Sequence, residues 1–238
     1  MSSHAQTSGL LTAVDLRAMK QRGEKISCLT AYDASFSSLI DQAGVDVMLV
    51  GDSLGMVIQG HATTLPVTVA DMLYHCRIVT AARKRSLVIV DLPFASYATP
   101  KQSLANAASL VQLAGAQMIK LEGAKIDIIQ FLVAQGISIC GHLGLLPQSV
   151  NLLGGYKTQG RDAEQAQQIL ADALRIEDAG ADCLVLECIP AALAAEISQR
   201  LSIPTIGIGA GVACDGQVLV LYDTVSYTHL TLLTNREV

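Results

Sequence analysis

The sequence predicts a (β/α)8 barrel, in which a closed ring of parallel strands is surrounded by helices. Three observations favour this fold class. Eight short aliphatic runs recur along the 238 residues, helical stretches fill most of the intervals between them, and several helices end at a glycine just before the next run. The runs are apolar on both faces, which is typical of parallel strands that are covered on both sides.

The eight predicted strands are short, and nearly all of their residues are apolar. In chain order they cover residues 26–32, 45–50, 87–90, 118–121, 137–140, 183–186, 205–208 and 218–221.

Most of the predicted helices carry a recognisable start or stop signal. They cover residues 13–22, 34–43, 69–84, 100–114, 162–179 and 190–200. The first follows Thr12, a residue suited to an N-cap, and ends at Gly23. Gly44, Gly115 and Gly180 end three of the others.

The interval between the last two predicted strands fits the barrel poorly. A doubly wound open sheet is therefore the alternative architecture. Only about ten residues separate the last two runs, too few for a full helix. The nucleotide-binding GxGxxG pattern is absent after the first run. Gly207, Gly209 and Gly211 follow a late strand, and they fit a tight turn at least as well as a phosphate-binding loop.

The composition excludes several classes of protein. Hydrophobic residues make up 51% and charged residues 16%, which indicates a large buried core and excludes a disordered chain. The net charge of −5 argues against a nucleic-acid partner. No apolar run approaches the roughly 18 residues that a membrane span needs, so we expect no membrane partner and a cytoplasmic location. The 6 cysteines form no CxxC pair, and we expect them to be reduced core thiols rather than zinc ligands.

Polar residues follow the predicted strands at corresponding positions. In a parallel barrel these positions share one rim, the C-terminal face, where barrel enzymes have their active sites. The residues are Asp52, Asp91, Glu122, His142 and Glu187.

Lys120 and Glu122 are two residues apart, so both face the same side of their strand. A lysine in an otherwise apolar strand is costly unless it is paired, and the rim carboxylates are its natural partners. The carboxylates in turn need positive charge, for which a divalent ion is the second source. Oxygen ligands without paired His or Cys favour Mg²⁺.

Each of these residues also has a structural interpretation. Asp52 could cap a helix, Asp91 could be a turn residue, and Glu122 could form a surface ion pair. His142 could be bonded to the backbone, and Glu187 could be buried in an ion pair with Lys120. Five such strand ends in one apolar-rich chain are, however, hard to explain by capping alone.

Long segments of the chain resemble ketopantoate hydroxymethyltransferase, the family also called 3-methyl-2-oxobutanoate hydroxymethyltransferase. The resemblance runs from about residue 10 to about residue 223. It is carried by the segments VMLVGDSLGMVIQGHATTLPVTVADMLYH, VDLPFASYATP, MIKLEG, CGHLGLLPQSVNLLGGYKTQGR, VLECIP and IPTIGIGAG. In fold, this family is similar to the phosphoenolpyruvate mutase and isocitrate lyase barrels.

The resemblance implies a reaction and a set of site residues. A hydroxymethyl group passes from 5,10-methylenetetrahydrofolate to 3-methyl-2-oxobutanoate and gives 2-dehydropantoate for pantothenate biosynthesis, through an enolate that Mg²⁺ stabilises. Glu187 is implied as the general base. The implied Mg²⁺ carboxylates are Asp52, Asp91 and Glu122, and the implied contacts to the oxoacid are Asp52, Ser53, Asp91 and Lys120.

The resemblance ends before the chain does. We expect a single catalytic barrel over residues 1–225 and a tail unrelated to the family over 226–238, with the last barrel helix missing. The family commonly forms decamers, so a homo-oligomer is expected, although such a tail would put it in doubt.

Two other functions stay open at this point. One is a related barrel lyase that cleaves a carbon–carbon bond in a 2-oxo or 2-hydroxy acid, although the KKCGH-like motif of such lyases is absent. The other is a catalytically inactive fragment that binds ligands without turnover.

Overall fold

A computed structural model describes residues 9–226 of the chain. Eight parallel strands close into a barrel in sequence order, each pairing with the next and the eighth with the first. They are β1 (Ile26–Thr30), β2 (Val47–Val50), β3 (Leu87–Asp91), β4 (Met118–Lys120), β5 (Ile139–Gly144), β6 (Cys183–Glu187), β7 (Thr205–Ile208) and β8 (Gly216–Leu219). The prediction of a barrel is confirmed, and the alternative of an open sheet is wrong.

Helices connect the strands around the outside of the barrel. Within the described residues they are α1 (Ala13–Arg22), α2 (Ala34–Gln42), α3 (Leu54–Val57), α4 (Val69–Ala82), α5 (Pro100–Ala114), α6 (Ile126–Ala134), α7 (Val150–Leu153), α8 (Ala163–Asp178), α9 (Ala191–Arg200) and α10 (Leu221–Ser226). A 3₁₀ turn, Pro147–Ser149, precedes α7. All six predicted helices are present, with ends that differ by at most two residues.

The sequence did not predict α6 or the short helices α3, α7 and α10. The nine residues of α6 are apolar apart from Asp127 and Gln130, so this short apolar run resembles a buried strand as much as a helix. Its N-cap position holds Lys125, whose side chain makes no capping hydrogen bond. The segment therefore lacks a clear start signal for a helix. By contrast, Thr12 and Asp15 form a capping box on α1, and Gly23 ends that helix in the left-handed conformation.

The connection between β7 and β8 is short, as the sequence predicts. Residues 209–215, between β7 and β8, contain no helix. A helix, α10, begins directly after β8, and its described part ends at Ser226. The predicted tail over residues 226–238 lies outside the described residues, apart from Ser226.

Side-chain alternation along the strands divides the core into two layers. One layer packs between the strands and the outer helices, and the other fills the barrel. The apolar side chains inside the barrel include Leu49, Ile89, Met118, Cys140 and Val185. Because successive side chains alternate between the faces of a strand, the residues two positions further on also point inward.

The N-terminal end of the barrel is closed by α1. Its buried residues Leu16 and Met19 join the interior cluster. The Nζ atom of Lys20 donates to the carbonyl oxygens of Ser198 and Ile203 and to a carboxylate oxygen of Asp215, at 2.8–2.9 Å. Barrel enzymes have their active sites at the opposite, C-terminal end, where the polar residues that follow the strands lie.

The structure also describes the cysteines and the lengths of the helices. The cysteines are all unpaired thiols, and five of the six are buried, which confirms the prediction of core thiols. Over residues 9–226, no helix combines the length and the apolar character that crossing a membrane would require.

Gly144→Ala tests how tightly β5 and β6 meet at the C-terminal rim. Gly144 has φ +94°, and an added Cβ would overlap the carbonyl oxygen of Glu187. The left-handed backbone alone costs roughly 1–3 kcal/mol for an alanine, and the overlap adds to this. We expect urea unfolding to show a larger loss of stability than in Gly136→Ala, since Gly136 has φ +82° but free space around it. Equal losses in the two variants would contradict the close contact.

Candidate active site

A cavity of about 200 Å³ opens at the C-terminal end of the barrel. It is lined by the ends of the strands and by the loops that follow them, as expected for this fold. All of the predicted site residues contribute to its wall: Asp52, Ser53, Asp91, Lys120, Glu122, His142 and Glu187. The chain thus brings together residues that are up to 135 positions apart in the sequence, between Asp52 and Glu187.

Alternation explains why these polar side chains face inward. Asp91 lies two residues after the interior residue Ile89, and Lys120 lies two residues after Met118. His142 and Glu187 stand in the same relation to Cys140 and Val185. The apolar interior layers are therefore capped by a polar layer at the rim.

Lys120 and Asp91 form a buried ion pair at the centre of this layer. They are direct neighbours in the register of β3 and β4, and Nζ of Lys120 lies 2.6 Å from Oδ1 of Asp91. Both side chains are at most 5% exposed. The other carboxylate oxygen of Asp91 accepts a hydrogen bond from the backbone N–H of Asp52 at 3.0 Å. The alternative in which Lys120 pairs with Glu187 is wrong.

The charge of Lys120 is held by its neighbours. Burial lowers the pKa of this ammonium, but the carboxylates of Asp91, Glu122 and Asp52 outweigh burial and raise the pKa well above its usual value. Lys120 therefore remains a permanent positive charge within the cavity wall.

The structural interpretations of the three carboxylates are also wrong. The N-cap of α3 is Ser53, not Asp52, and Asp91 belongs to a strand rather than to a turn. Glu122 is buried, not at the surface. Burial, followed by the charge of Asp91, raises the pKa of Asp52 to about 7. Burial also raises the pKa of Glu122 well above its usual value, although Lys120 opposes the shift.

Gln148, which the sequence reasoning did not single out, connects two of these carboxylates. It lies in the 3₁₀ turn after β5, and its side-chain amide donates to Oδ2 of Asp52 at 2.9 Å. Its backbone N–H donates to Oε2 of Glu122 at 3.0 Å. Tyr97 contributes as well, since its hydroxyl donates to Oε1 of Gln148 at 2.6 Å. The only sequence signal was the position of this polar residue in the loop that follows a strand.

His142 lies between two carboxylates. Its Nε2 is 3.2 Å from Oε2 of Glu187, and its Nδ1 is 3.7 Å from Oε1 of Glu122. Neither contact has hydrogen-bond geometry, and within the described residues both buried ring nitrogens lack a hydrogen-bond partner. The interpretation of His142 as bonded to the backbone is therefore wrong. Burial and then the charge of Lys120 lower the pKa of His142, although Glu187 opposes this, so the ring is neutral near pH 7.

Ser53 is held by Tyr32, which follows the neighbouring strand β1. Its Oγ lies 2.7 Å from the hydroxyl of Tyr32, and burial raises the pKa of that phenol to about 12. Tyr32 is therefore a neutral hydrogen-bonding partner, and Ser53 is presented to the cavity from a fixed direction.

The donor set of the cavity suits a hard cation in its chemistry. When they are ionised, the carboxylates of Asp52, Asp91 and Glu122 outnumber the single ammonium of Lys120, and either protons or a cation must neutralise the excess negative charge. Among residues 9–226, no three His, Cys, Asp or Glu side chains are grouped closely enough to hold one metal ion. Mg²⁺, however, usually takes one or two protein carboxylates and completes its coordination with water and substrate. The residues present fit an ion of that kind.

The chain has close relatives among characterised families. Residues 11–234 match the profile of the family described as ketopantoate hydroxymethyltransferase. The 3-methyl-2-oxobutanoate hydroxymethyltransferase of Nitrosococcus oceani is 56% identical over 217 residues, covering 90% of this chain and 82% of the relative. The enzyme of the same name from Halorhodospira halophila is 53% identical over 224 residues, covering 93% of this chain and 82% of the relative.

Solved structures of lower identity share the fold. Phosphoenolpyruvate phosphomutase from Streptomyces platensis subsp. rosaceus has a TM-score of 0.68 at 14% identity, covering 91% of this chain and 83% of that one. A 2,3-dimethylmalate lyase, a member of the PEP mutase/isocitrate lyase superfamily, has a TM-score of 0.66 at 17% identity with the same two coverages. These likenesses confirm the expected similarity in fold.

Lys120→Met should destabilise the protein strongly because it leaves the buried charge of Asp91 uncompensated. Breaking one partner of a buried pair costs about 3–5 kcal/mol, whereas Arg175→Met, in the exposed pair with Asp172, should cost less than about 1 kcal/mol. Adding Asp91→Asn to Lys120→Met should restore much of the loss. Urea unfolding measures all three variants, and a double variant less stable than Lys120→Met would contradict the uncompensated-charge explanation.

The raised pKa of Asp52 predicts a pH-dependent effect of Asp52→Asn in buffer without divalent cations. The folded-state pKa of about 7 lies above the usual value of 3.8, so burying the ionised carboxylate opposes folding above pH 7. As the pH falls from 7 toward 4, Asp52 takes up a proton in the folded protein but stays ionised in the unfolded chain. This proton uptake removes the cost of burying the charge. Asp52→Asn should therefore be more stable than the wild type at pH 8, and the difference should shrink by pH 5. A difference that grows on acidification would show that Asp52 has a low pKa.

Proposed function

Because this chain belongs to the ketopantoate hydroxymethyltransferase family, we propose that it transfers a hydroxymethyl group from 5,10-methylenetetrahydrofolate to 3-methyl-2-oxobutanoate. The product is 2-dehydropantoate, an intermediate of pantothenate biosynthesis. The observation that carries the proposal is the buried Lys120–Asp91 pair, which lies beside Asp52 and Glu122 in a cavity that also contains Glu187.

The charges of the cavity support binding of a small oxoacid. Among the described residues that line it, Lys120 carries the one lasting positive charge, which attracts the carboxylate of the substrate. We assign Asp52, Ser53, Asp91 and Lys120 as the residues that contact the oxoacid. Ser53 can donate its hydroxyl hydrogen to a substrate oxygen while Tyr32 holds the Oγ atom in place.

The surplus of carboxylates is the argument for a bound Mg²⁺ ion. Asp52, Asp91 and Glu122 all line the cavity and would hold it, directly or through its water ligands. When bound, Mg²⁺ supplies a Lewis acid that makes the hydrogen on the carbon next to the ketone more acidic.

Glu187 is the proposed general base. Its side chain is 20% exposed, whereas Asp91 and Glu122 are at most 4% exposed, and Lys120 is engaged by Asp91 rather than by Glu187. Glu187 is therefore the least buried of the strand-end carboxylates and can reach a bound substrate. It takes the proton from carbon 3 of the oxoacid, and that carbon forms the new bond to the methylene carbon of the folate. The carbon–nitrogen bonds of that methylene group break, water supplies the hydroxyl group of the product, and tetrahydrofolate leaves. The positive charge of Lys120 stabilises the negative charge that develops on the substrate oxygen.

The folate would approach from the solvent side of the cavity. Met56 and Tyr156 belong to the lining, and they are 39% and 50% exposed, so they mark that side. A cavity of about 200 Å³ has room for the oxoacid but not for a whole folate, most of which must lie outside it. A homo-oligomer, the cytoplasmic location and the absence of a nucleic-acid partner stay predictions.

Glu187→Gln tests the proposed base. Removing it should lower kcat for ketopantoate formation by roughly 10²–10⁴-fold, the usual contribution of a positioned base, with little change in KM for the oxoacid. Exchange of the carbon-3 hydrogen with deuterium, followed by NMR with the oxoacid and Mg²⁺ but without folate, should fall in parallel. Glu196→Gln, in an exposed pair with Arg200, is the matched control and should behave like the wild type.

The outcomes separate the proposed function from its alternatives. Exchange and product formation that are unchanged in Glu187→Gln would remove the assignment of the base. A wild-type chain that cleaves a 2-hydroxy acid but forms no ketopantoate would identify a lyase of the same fold. A chain that binds the oxoacid without exchange or turnover would be an inactive fragment.

A further inference from the structure

We propose that Gln148 is a positioning residue that orients the carboxylate of Asp52 toward the cation and the oxoacid. The inference rests on the proposed function, because that function gives Asp52 its ligands. Gln148 is 5% exposed and lies behind the cavity wall rather than in it. It can therefore act only through the residues that it contacts.

Every polar atom of the Gln148 side chain is engaged. One amide N–H donates to Oδ2 of Asp52 and the other to the carbonyl oxygen of Leu92, both at 2.9 Å. The amide oxygen accepts from the hydroxyl of Tyr97 at 2.6 Å. Because the opposite orientation of the amide would place its oxygen against two acceptors, this network permits only one orientation.

The consequence for Asp52 is a fixed carboxylate. Its Oδ2 is held by Gln148, which lies outside the cavity lining, while Asp52 itself lines the cavity, so this bond restricts the directions in which the carboxylate can face a ligand. The backbone N–H of Gln148 also holds Oε2 of Glu122. A single residue of the turn after β5 thus sets the positions of carboxylates that follow β2 and β4.

Glutamine is the residue type that this position requires. A glutamate would place a further carboxylate against Asp52 and against the carbonyl oxygen of Leu92. A methionine of similar size would keep the packing and the backbone contact to Glu122 but would remove all three side-chain bonds. Gln148→Met therefore isolates the orienting role.

The experiment measures binding of Mn²⁺, an oxygen-preferring substitute for Mg²⁺, by electron paramagnetic resonance in the presence of 3-methyl-2-oxobutanoate. We expect Gln148→Met to raise the Kd for Mn²⁺ by roughly 10–100-fold, the usual effect of losing a residue that orients a metal ligand. The matched control is Gln117→Met. Gln117 lies at the other end of the barrel, where its amide bonds only to the backbone of Val88 and Leu11. That variant should lose stability but keep the wild-type Kd.

A second variant keeps the inference testable if Gln148→Met does not fold. Tyr97→Phe removes the bond that fixes the amide orientation, together with the longer bond of 3.4 Å that the hydroxyl accepts from the backbone N–H of Glu122. It leaves the bond from Gln148 to Asp52 in place, so it should weaken Mn²⁺ binding by a smaller factor. Unchanged Mn²⁺ affinity in a folded Gln148→Met, or in Tyr97→Phe when Gln148→Met does not fold, would overturn the inference. A wild-type chain that binds no Mn²⁺ would overturn it as well. The proposed function is judged separately, by ketopantoate formation, because the Mn²⁺ measurement needs no turnover.

Discussion

The buried pair of Lys120 and Asp91 is the interaction on which the rest of the site depends. The two residues are neighbours in the register of β3 and β4, so closing the barrel brings them within 2.6 Å of each other. Their contact makes it possible to bury further carboxylates at the same rim, because the ammonium partly offsets the repulsion among them. Without Lys120, burying Asp52, Asp91 and Glu122 together would leave three acids with no positive charge near them.

Much of this arrangement could be predicted from the sequence because it follows from a periodicity of two. Once the apolar runs are read as barrel strands, the residue two positions after an interior apolar side chain must also face inward. Asp91, Lys120, His142 and Glu187 all satisfy this relation, and the cavity at the rim contains all four. The strand pattern alone left an open sheet possible, and the pairing of β1 with β8 in the structure excludes it.

What could not be predicted depends on contacts between distant parts of the chain. Gln148 meets Asp52 across 96 positions, and no local pattern distinguishes this glutamine from a loop residue at the surface. The choice of Asp91 as the partner of Lys120 is set by the register between two strands, and the sequence left several carboxylates open. Likewise α6 has no side-chain cap and is a short, mostly apolar run, so its packing against the barrel identifies it as a helix more clearly than its sequence does.

The same cluster that destabilises the fold can make the site selective. Burial raises the pKa of Asp52 to about 7, so near neutral pH this acid is present in both its protonated and its ionised form, and burial also raises the pKa of Glu122. A proton and a divalent cation relieve the same repulsion, but only the cation leaves the carboxylates ionised and able to hold a chelating oxoacid. An oxoacid that coordinates such a cation would therefore gain binding energy from that contact. A neutral molecule of the same size would gain none. In the proposed function, selectivity for a charged 2-oxoacid would follow from the excess of buried acids, and the proposed role of Gln148 would be to fix the orientation of the Asp52 carboxylate that holds the cation.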